Sequence, residues 1–334
     1  MDTLARGLHA AGHEVELFTT GDSECPVPRK HLLDESEGML IGTTTIEIRH
    51  VLAAYEALSD CDVIHDHTVI GPLLSKELTD TPVVTTNHGP FSDETMTIWR
   101  EVSDRGVALI SISRHQASTA DPGINVSQVI HHGIDPTHFP VGAGDGGYLA
   151  CLGRMAAAKG IHTAIKVARE TEMPLLIGAK MRETLEHQYF EAQVRPLLGD
   201  GIEYLGELTT AEKLELLCGA TALVNPIEWA EPFGLVMIEA MACGTPVIAT
   251  PCGSVPEIVT PGKTGFICNG ESEMIEAVSQ VADLDRATCR REVETTFSME
   301  RMVDIHAAFY RRVQEKRLSG ETIEREGLSV SLAP

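Results

Sequence analysis

The stretch Glu228–Thr250, EWAEPFGLVMIEAMACGTPVIAT, places Glu231 and Glu239 around a Pro-Phe-Gly with seven residues between them. From Pro232 to Pro256, Glu239 is the only charged side chain. The preceding VNP (224–226) closes a β-branched run, and the apolar residues that follow have helical length and stop at Gly244. Pro232 suits the first helical position, where a missing N–H costs nothing. Glu231 is then expected at the mouth of a helix and Glu239 about two turns in. A helix apolar all round is buried between a sheet and its neighbours. An unpaired carboxylate there would cost several kcal/mol or take up a proton. A ligand diol resolves the conflict, because one carboxylate accepts hydrogen bonds from two adjacent hydroxyls. The backbone N–H groups of Phe233, Gly234, Leu235 and Val236 would form an anion site at the helix N-terminus, with Gly234 allowing close approach. The competing reading makes Glu231 a favourable acid at a helix start and pairs Glu239 with an arginine from elsewhere in the chain.

Strand-like runs alternate with helical patterns on both sides of this segment. They are expected at 14–18, 62–67, 82–87, 107–113, 129–133, 148–153, 174–179, 202–206, 222–226 and 246–250. Helical segments such as Lys159–Thr171 and Thr210–Cys218 separate them. Continuous apolar strands alternating with helices imply α/β structure with parallel sheets covered on both faces. Ten strands are many for one sheet, and 334 residues exceed the usual size of one domain at about 150 residues each. PVGAGDGGY (140–148) is the best linker. Two domains are expected, 1–140 and 141–298, followed by a charged amphipathic helix at 299–318 and a polar tail at 319–334.

Composition narrows the partners. The formal net charge of −23 opposes nucleic acid and anionic lipid. No run of roughly 18 apolar residues predicts a membrane span, and the N-terminus lacks the layout of a secretory signal. Eight cysteines without a CxxC pair read as reduced core thiols of a cytoplasmic protein.

Two phosphate-loop patterns fail on context. GAGDGG (142–147) precedes a strand, whereas a dinucleotide fingerprint must follow one. PGKTG (261–265) has Glu257 where a P-loop needs its first glycine, so it reads as a turn. A better candidate is YLACLGRMAAAKG (148–160): a strand, Gly153, Arg154, then a loop to Lys159 opening a helix. Arg154 by its fork and Lys159 as a point charge suit a diphosphate; singly, each would be a solvated loop cation. With a diol-binding glutamate in the same domain, the ligand reads as a nucleoside diphosphate carrying a further group.

These motifs carry a family resemblance. EPFGLVMIE resembles the E-x7-E element of retaining, nucleotide-sugar-dependent glycosyltransferases of the glycogen-synthase-like and sucrose-synthase-like group. GRMAAAKG is similar to the diphosphate-binding Arg and Lys of that group. HHGID (131–135) resembles its interdomain segment, and GSVPEIV and GKTGFI its later C-terminal turns. The resemblance covers essentially the whole chain and implies two Rossmann-like doubly wound domains facing a cleft, the GT-B architecture. The final helix would cross back to the N-domain. It further implies that Glu239 holds the donor ribose, that Glu231 contacts the transferred sugar, and that Arg154 and Lys159 neutralise the departing diphosphate. His88 looks like the histidine that reaches the donor sugar from the N-domain. His67, with Ser113 and Arg114, is a candidate for the acceptor cleft, although Ser113 also suits a helix cap. His65 and His67 could hold a metal, but no third ligand is evident, and no metal or other cofactor is expected. The partners implied are a nucleotide sugar and a small soluble acceptor.

Such enzymes begin with a strand and a glycine-rich turn, whereas this chain opens on MDTLARGLHAAGHEVELF, which resembles the helix and second strand that follow. Without that central strand, two inner sheet edges should lie unpaired. Two further readings stand beside hexosyl transfer: a nucleotide-sugar-binding protein without turnover, and a GT-B phosphorylase or epimerase.

Overall fold

The computed structural model describes residues 1–36 and 44–319. The chain divides into two compact units: residues 1–131 with the helix that starts at Met299, and residues 132–298. The polar tail from 320 lies outside the described residues.

The first unit runs α1 (Asp2–Ala10), β1 (Leu17–Thr19), β2 (Arg29–His31), α2 (Thr44–Ala57), β3 (Ile64–Asp66), α3 (Gly71–Leu78), β4 (Val83–Asn87), α4 (Asp93–Asp104), β5 (Ala108–Ser111), α5 (Arg114–Ser118) and β6 (Val126–Val129). Strands β3 to β6 form one parallel sheet in chain order. Every residue of β4 and β5 is buried, as in parallel strands covered on both faces. Alternate side chains reach opposite faces. Val83 and Leu109 pack with Trp99 and Val102 of α4, while Val84, Ala108 and Ile110 pack with Leu4 of α1. Burying each such aliphatic side chain contributes about 1.5–3 kcal/mol over leaving it in water. The second face is completed by Met302, Val303 and Phe309 of the terminal helix, which follows the second unit in the chain. Gly7 keeps α1 close to that helix: a Cβ on it would fall 2.5 Å from Val303.

β1 pairs only with β2, in a separate two-stranded parallel sheet. The unit's sheet is therefore in two pieces among the described residues, with β1 and β3 each bonded on one side only.

The second unit runs β7 (Leu149–Arg154), α6 (Ile161–Glu170), β8 (Leu175–Lys180), α7 (Thr184–Tyr189), β9 (Ile202–Gly206), α8 (Thr210–Gly219), β10 (Ala222–Asn225), α9 (Leu235–Ala242), β11 (Val247–Ala249), α10 (Val255–Ile258), β12 (Gly265–Ile267), α11 (Glu271–Gln280) and α12 (Arg286–Thr296). The terminal helix, α13 (Met299–Ser319), follows. The six strands are parallel in the order β12-β11-β10-β7-β8-β9. From β7 the chain winds outward through β8 and β9, then returns to β10 on the other side of β7. The carboxyl ends of β7 and β10 therefore flank a topological switch point, where open α/β sheets bind ligands.

Several elements differ from the sequence pattern. The strand expected at 129–133 lies at 126–129; its ladder ends with Ile130 N–H donating to Ser111 at 2.9 Å, before the two histidines. β2 and β12 were not expected. PVGAGDGGY is no free linker. The amides of Gly142, Gly144 and Gly146 donate to the carbonyls of Cys243, Cys218 and Gly219. Arg286 completes that seam, donating to Gly142 at 2.9 Å, Ala220 at 3.0 Å and Thr245 at 2.7 Å. It thereby satisfies carbonyls at the end of α8. The ends of the second unit meet: Ile134 N–H donates to Phe297 at 2.9 Å, and Ile134 bridges Ser298.

Candidate functional site

The segment that opened the sequence reading folds differently at its start. α9 begins at Leu235, not at Pro232, with Gly234 as its N-cap at φ +82°. Two contacts explain this. The Phe233 ring is buried against His132 and Phe297, and its carbonyl accepts the Ser254 hydroxyl. The chain can turn into the helix only at Gly234, in the left-handed region that favours glycine. Glu239 is consequently the fifth residue of α9, little more than one turn in. Nor is the helix buried all round, since Leu235 is exposed.

At the switch point, Gly153, Arg154, Lys159, Glu231, Gly234, Leu235, Val236 and Glu239 line one cavity of about 360 Å³. Eight of the donor-side candidates are thus brought together, from two separate stretches of chain, 153–159 and 231–239. Phe233 is not among them. Gly153 has room for a methyl group, which would meet Lys159 at an ordinary 3.7 Å.

Local structure places each charge. After β7 a single 3-10 turn, Ala157–Lys159, closes on Gly160 at φ +65°. Lys159 therefore ends a turn and does not open α6. A Cβ on Gly160 would lie 2.0 Å from the Pro226 carbonyl oxygen, and Glu228 N–H donates to Ala158 at 2.8 Å. The loops after β7 and β10 are stitched together, and their side chains meet. Lys159 forms an ion pair with Glu231 and sits 5.4 Å from the Trp229 ring centre. Trp229 Nε1–H donates to Glu231 at 3.0 Å. Gly253 packs on the same loop, where a Cβ would fall 2.2 Å from the Glu231 carbonyl oxygen, and Ser254 N–H donates to that oxygen at 3.0 Å. The turn GSVPEIV is thus a mould for the Glu231 backbone.

Glu239 is paired, with Lys213 of α8 at 2.7 Å. The cation comes from a lysine, not the arginine of the competing sequence reading. Both side chains keep some access to solvent, 18% for Glu239 and 27% for Lys213. The carboxylate is therefore partnered yet open to the cavity. Its second oxygen and the first-turn amides of α9, which have no carbonyl one turn back, remain suited to a ligand. Sequence reasoning missed Lys213 and Trp229, as well as Lys180, Glu207 and Leu208 on the opposite wall. A lone carboxylate in an apolar helix called for a cation, but nothing local points to a lysine 26 positions upstream.

The first-unit candidates lie at the ends of β3, β4 and β5. His67 Nδ1 and His88 Nε2 share a hydrogen bond at 2.8 Å. His65 has both ring nitrogens engaged, by the hydroxyls of Tyr310 at 2.7 Å and Thr86 at 2.8 Å. Burial, then the imidazoles of His67, His306 and His88, hold its pKa well below the ordinary range. Among the described residues, no group of three or more His, Cys, Asp or Glu side chains is arranged around a metal position. Ser113 is fully buried and caps α5, accepting Gln116 N–H at 3.0 Å. Arg114 is exposed on the first turn of that helix.

The model "Glycosyl transferases group 1" matches residues 137–292 and "Glycosyltransferase Family 4" matches residues 1–138. The fold is shared with sucrose-phosphate synthase from Thermosynechococcus elongatus, at TM-score 0.74 and 20% identity over 93% of this chain and 91% of that one. It is equally shared with Anabaena HepE solved with UDP and glucose, at TM-score 0.74 and 18% identity over 93% and 96%. A doubly wound pair of units with this site and these matches is a glycosyltransferase of the GT-B fold.

Within that class, the chain is similar in sequence to alpha-maltose-1-phosphate synthases. Identity is 32% to the Mycolicibacterium smegmatis protein, over 50% of this chain and 45% of that protein's length. It is 28% to the Mycobacterium tuberculosis protein, over 76% and 81%.

Proposed function

We propose that the chain transfers a hexose from a nucleoside-diphosphate sugar to a small soluble acceptor, with retention at the anomeric carbon, without a metal, in the cytoplasm. One observation carries this reading: Arg154, Lys159, Glu231, Glu239 and the first-turn amides of α9 converge on one cavity at the switch point of the second unit. Glu239 would accept the ribose hydroxyls. Glu231 and the first-turn amides would hold the sugar and phosphates. Arg154 and Lys159 would oppose the charge that grows on the departing phosphate oxygen, where preorganised cations lower the barrier. Those two cations do the work a metal would otherwise do. The site is internally paired, Lys159 with Glu231 and Lys213 with Glu239. An incoming diphosphate competes for Lys159 and leaves Glu231 turned to the sugar. The Anabaena relative solved with UDP and glucose supports a nucleotide-sugar donor.

The test is calorimetric titration of UDP, GDP and ADP, in EDTA, against wild type and Glu239→Ala. Tight binding of one nucleotide, weakened by the substitution, supports the reading and names the base. No binding of any of the three by the wild type overturns it.

A further inference from the structure

We propose that Glu186, which lies outside the cavity lining, is the positioning residue for the Arg154 guanidinium, an assignment that rests on the donor-site reading above. Arg154 ends β7 and its side chain is 47% exposed, whereas the Glu186 side chain behind it is 5% exposed. A half-exposed arginine samples many rotamers, so something fixed must select one. Glu186 is fixed. At the first turn of α7, one of its carboxylate oxygens accepts the N–H of Arg182 at 2.8 Å and of Glu183 at 3.2 Å. Its other oxygen faces Arg154 Nη1 at 3.5 Å.

A helix cap needs one carboxylate oxygen, and the second is aimed at the cation. Burial opposes ionisation of Glu186, but the two backbone donors and the charges of Arg154 and Lys180 outweigh it, holding its pKa below the ordinary glutamate range. Glu183 also approaches Arg154 Nη1, at 3.8 Å, but is 68% exposed and a weak anchor. A guanidinium carries five N–H donors in a rigid fork. Holding one edge on Glu186 leaves the others for a diphosphate, at lower cost in side-chain order when the ligand arrives.

The rival role is purely local, the capping of α7. Glu186→Gln separates the two, because the amide oxygen still accepts the backbone N–H groups while the charge is gone. The nucleoside diphosphate that binds wild type, and its monophosphate, are titrated into wild type, Glu186→Gln, Arg154→Ala and the double variant, with melting temperatures alongside. If Glu186 acts through Arg154, Glu186→Gln weakens the diphosphate about tenfold and the monophosphate by less than about twofold. In the Arg154→Ala background it then adds nothing. Equal losses for both nucleotides, a loss that persists without Arg154, or no loss for the diphosphate overturns the assignment. Should Glu186→Gln fail to fold, Glu186→Asp keeps the charge, retracts it by one methylene and enters the same cycle. Absence of diphosphate binding by wild type would overturn the donor-site reading and this assignment with it. Wild-type binding with additive losses would overturn the assignment alone.

Discussion

At the scale of single residues, the site is a set of charges that satisfy one another until a ligand arrives. Glu239 shows how. It is the one charge in a run from Pro232 to Pro256, and Lys213 makes it tolerable at the edge of a buried helix. A carboxylate that accepts hydrogen bonds from ligand hydroxyls contributes about 1.5–3 kcal/mol. Glu239→Ala should therefore weaken nucleoside-diphosphate binding by roughly 10- to 150-fold in titration calorimetry, with melting temperature little changed. The substitution also strands Lys213, but at 27% exposure that ammonium can turn to water. Both glutamates could be singled out from the sequence because their spacing conflicts with an apolar environment. Lys213 and Glu186 could not, since each reaches the site from a different stretch, and Trp229, two residues before Glu231, carries no local conflict of its own.

At the scale of elements, glycines set where the charged loops can go. Gly160 is left-handed and abuts the Pro226 carbonyl, so the loop ending in Lys159 is locked to the loop leading to Glu231. Gly160→Ala adds left-handed strain of about 1–2 kcal/mol and an overpacking cost of about 1–3 kcal/mol. Thermal unfolding should show a clear drop in melting temperature, and diphosphate affinity should fall with it as Lys159 shifts. An unchanged affinity would mean that the Lys159 loop tolerates movement. The central strands could be read from the sequence for a physical reason: β5, β8 and β10 open on the apolar runs ALI, LLI and ALV, and β4 on two β-branched valines. β2 could not, because Arg29–His31 is exposed at all three positions and carries no periodicity. The start of α9 was displaced by a tertiary contact, the Ser254 hydroxyl on Phe233, which no local propensity contains.

For the molecule as a whole, charge and protonation act on stability together. His306 is 5% exposed and its Nδ1–H donates to the Met302 carbonyl at 2.8 Å. Burial lowers its pKa to about 4, against an ordinary value of 6.5. Between those values the unfolded chain holds the proton and the folded chain does not. The contribution to stability is complete above pH 6.5, declines as pH falls toward 4, and changes no further below that. Protonating carboxylates relieves the net charge of −23 over the lower part of the range and works in the opposite sense. The comparison with a His306→Gln variant isolates the histidine. Melting temperatures of the wild type should fall more steeply with acidification from pH 6.5 than those of the variant. Parallel slopes would contradict the assignment of a neutral buried imidazole.

The bridge between Ile134 and Ser298 carries one more consequence. A segment whose first and last residues lie side by side is, topologically, a cassette: it can be cut from the chain without leaving its two ends far apart. The seam at Gly142, Gly144 and Gly146 and all of the charges lining the cavity lie inside that cassette. Residues 132–298 produced alone should fold, unfold cooperatively on heating, and keep the nucleotide affinity of the parent while losing any capacity to select an acceptor. A fragment that stays unfolded, or folds without binding, would show that the donor site draws on the rest of the chain.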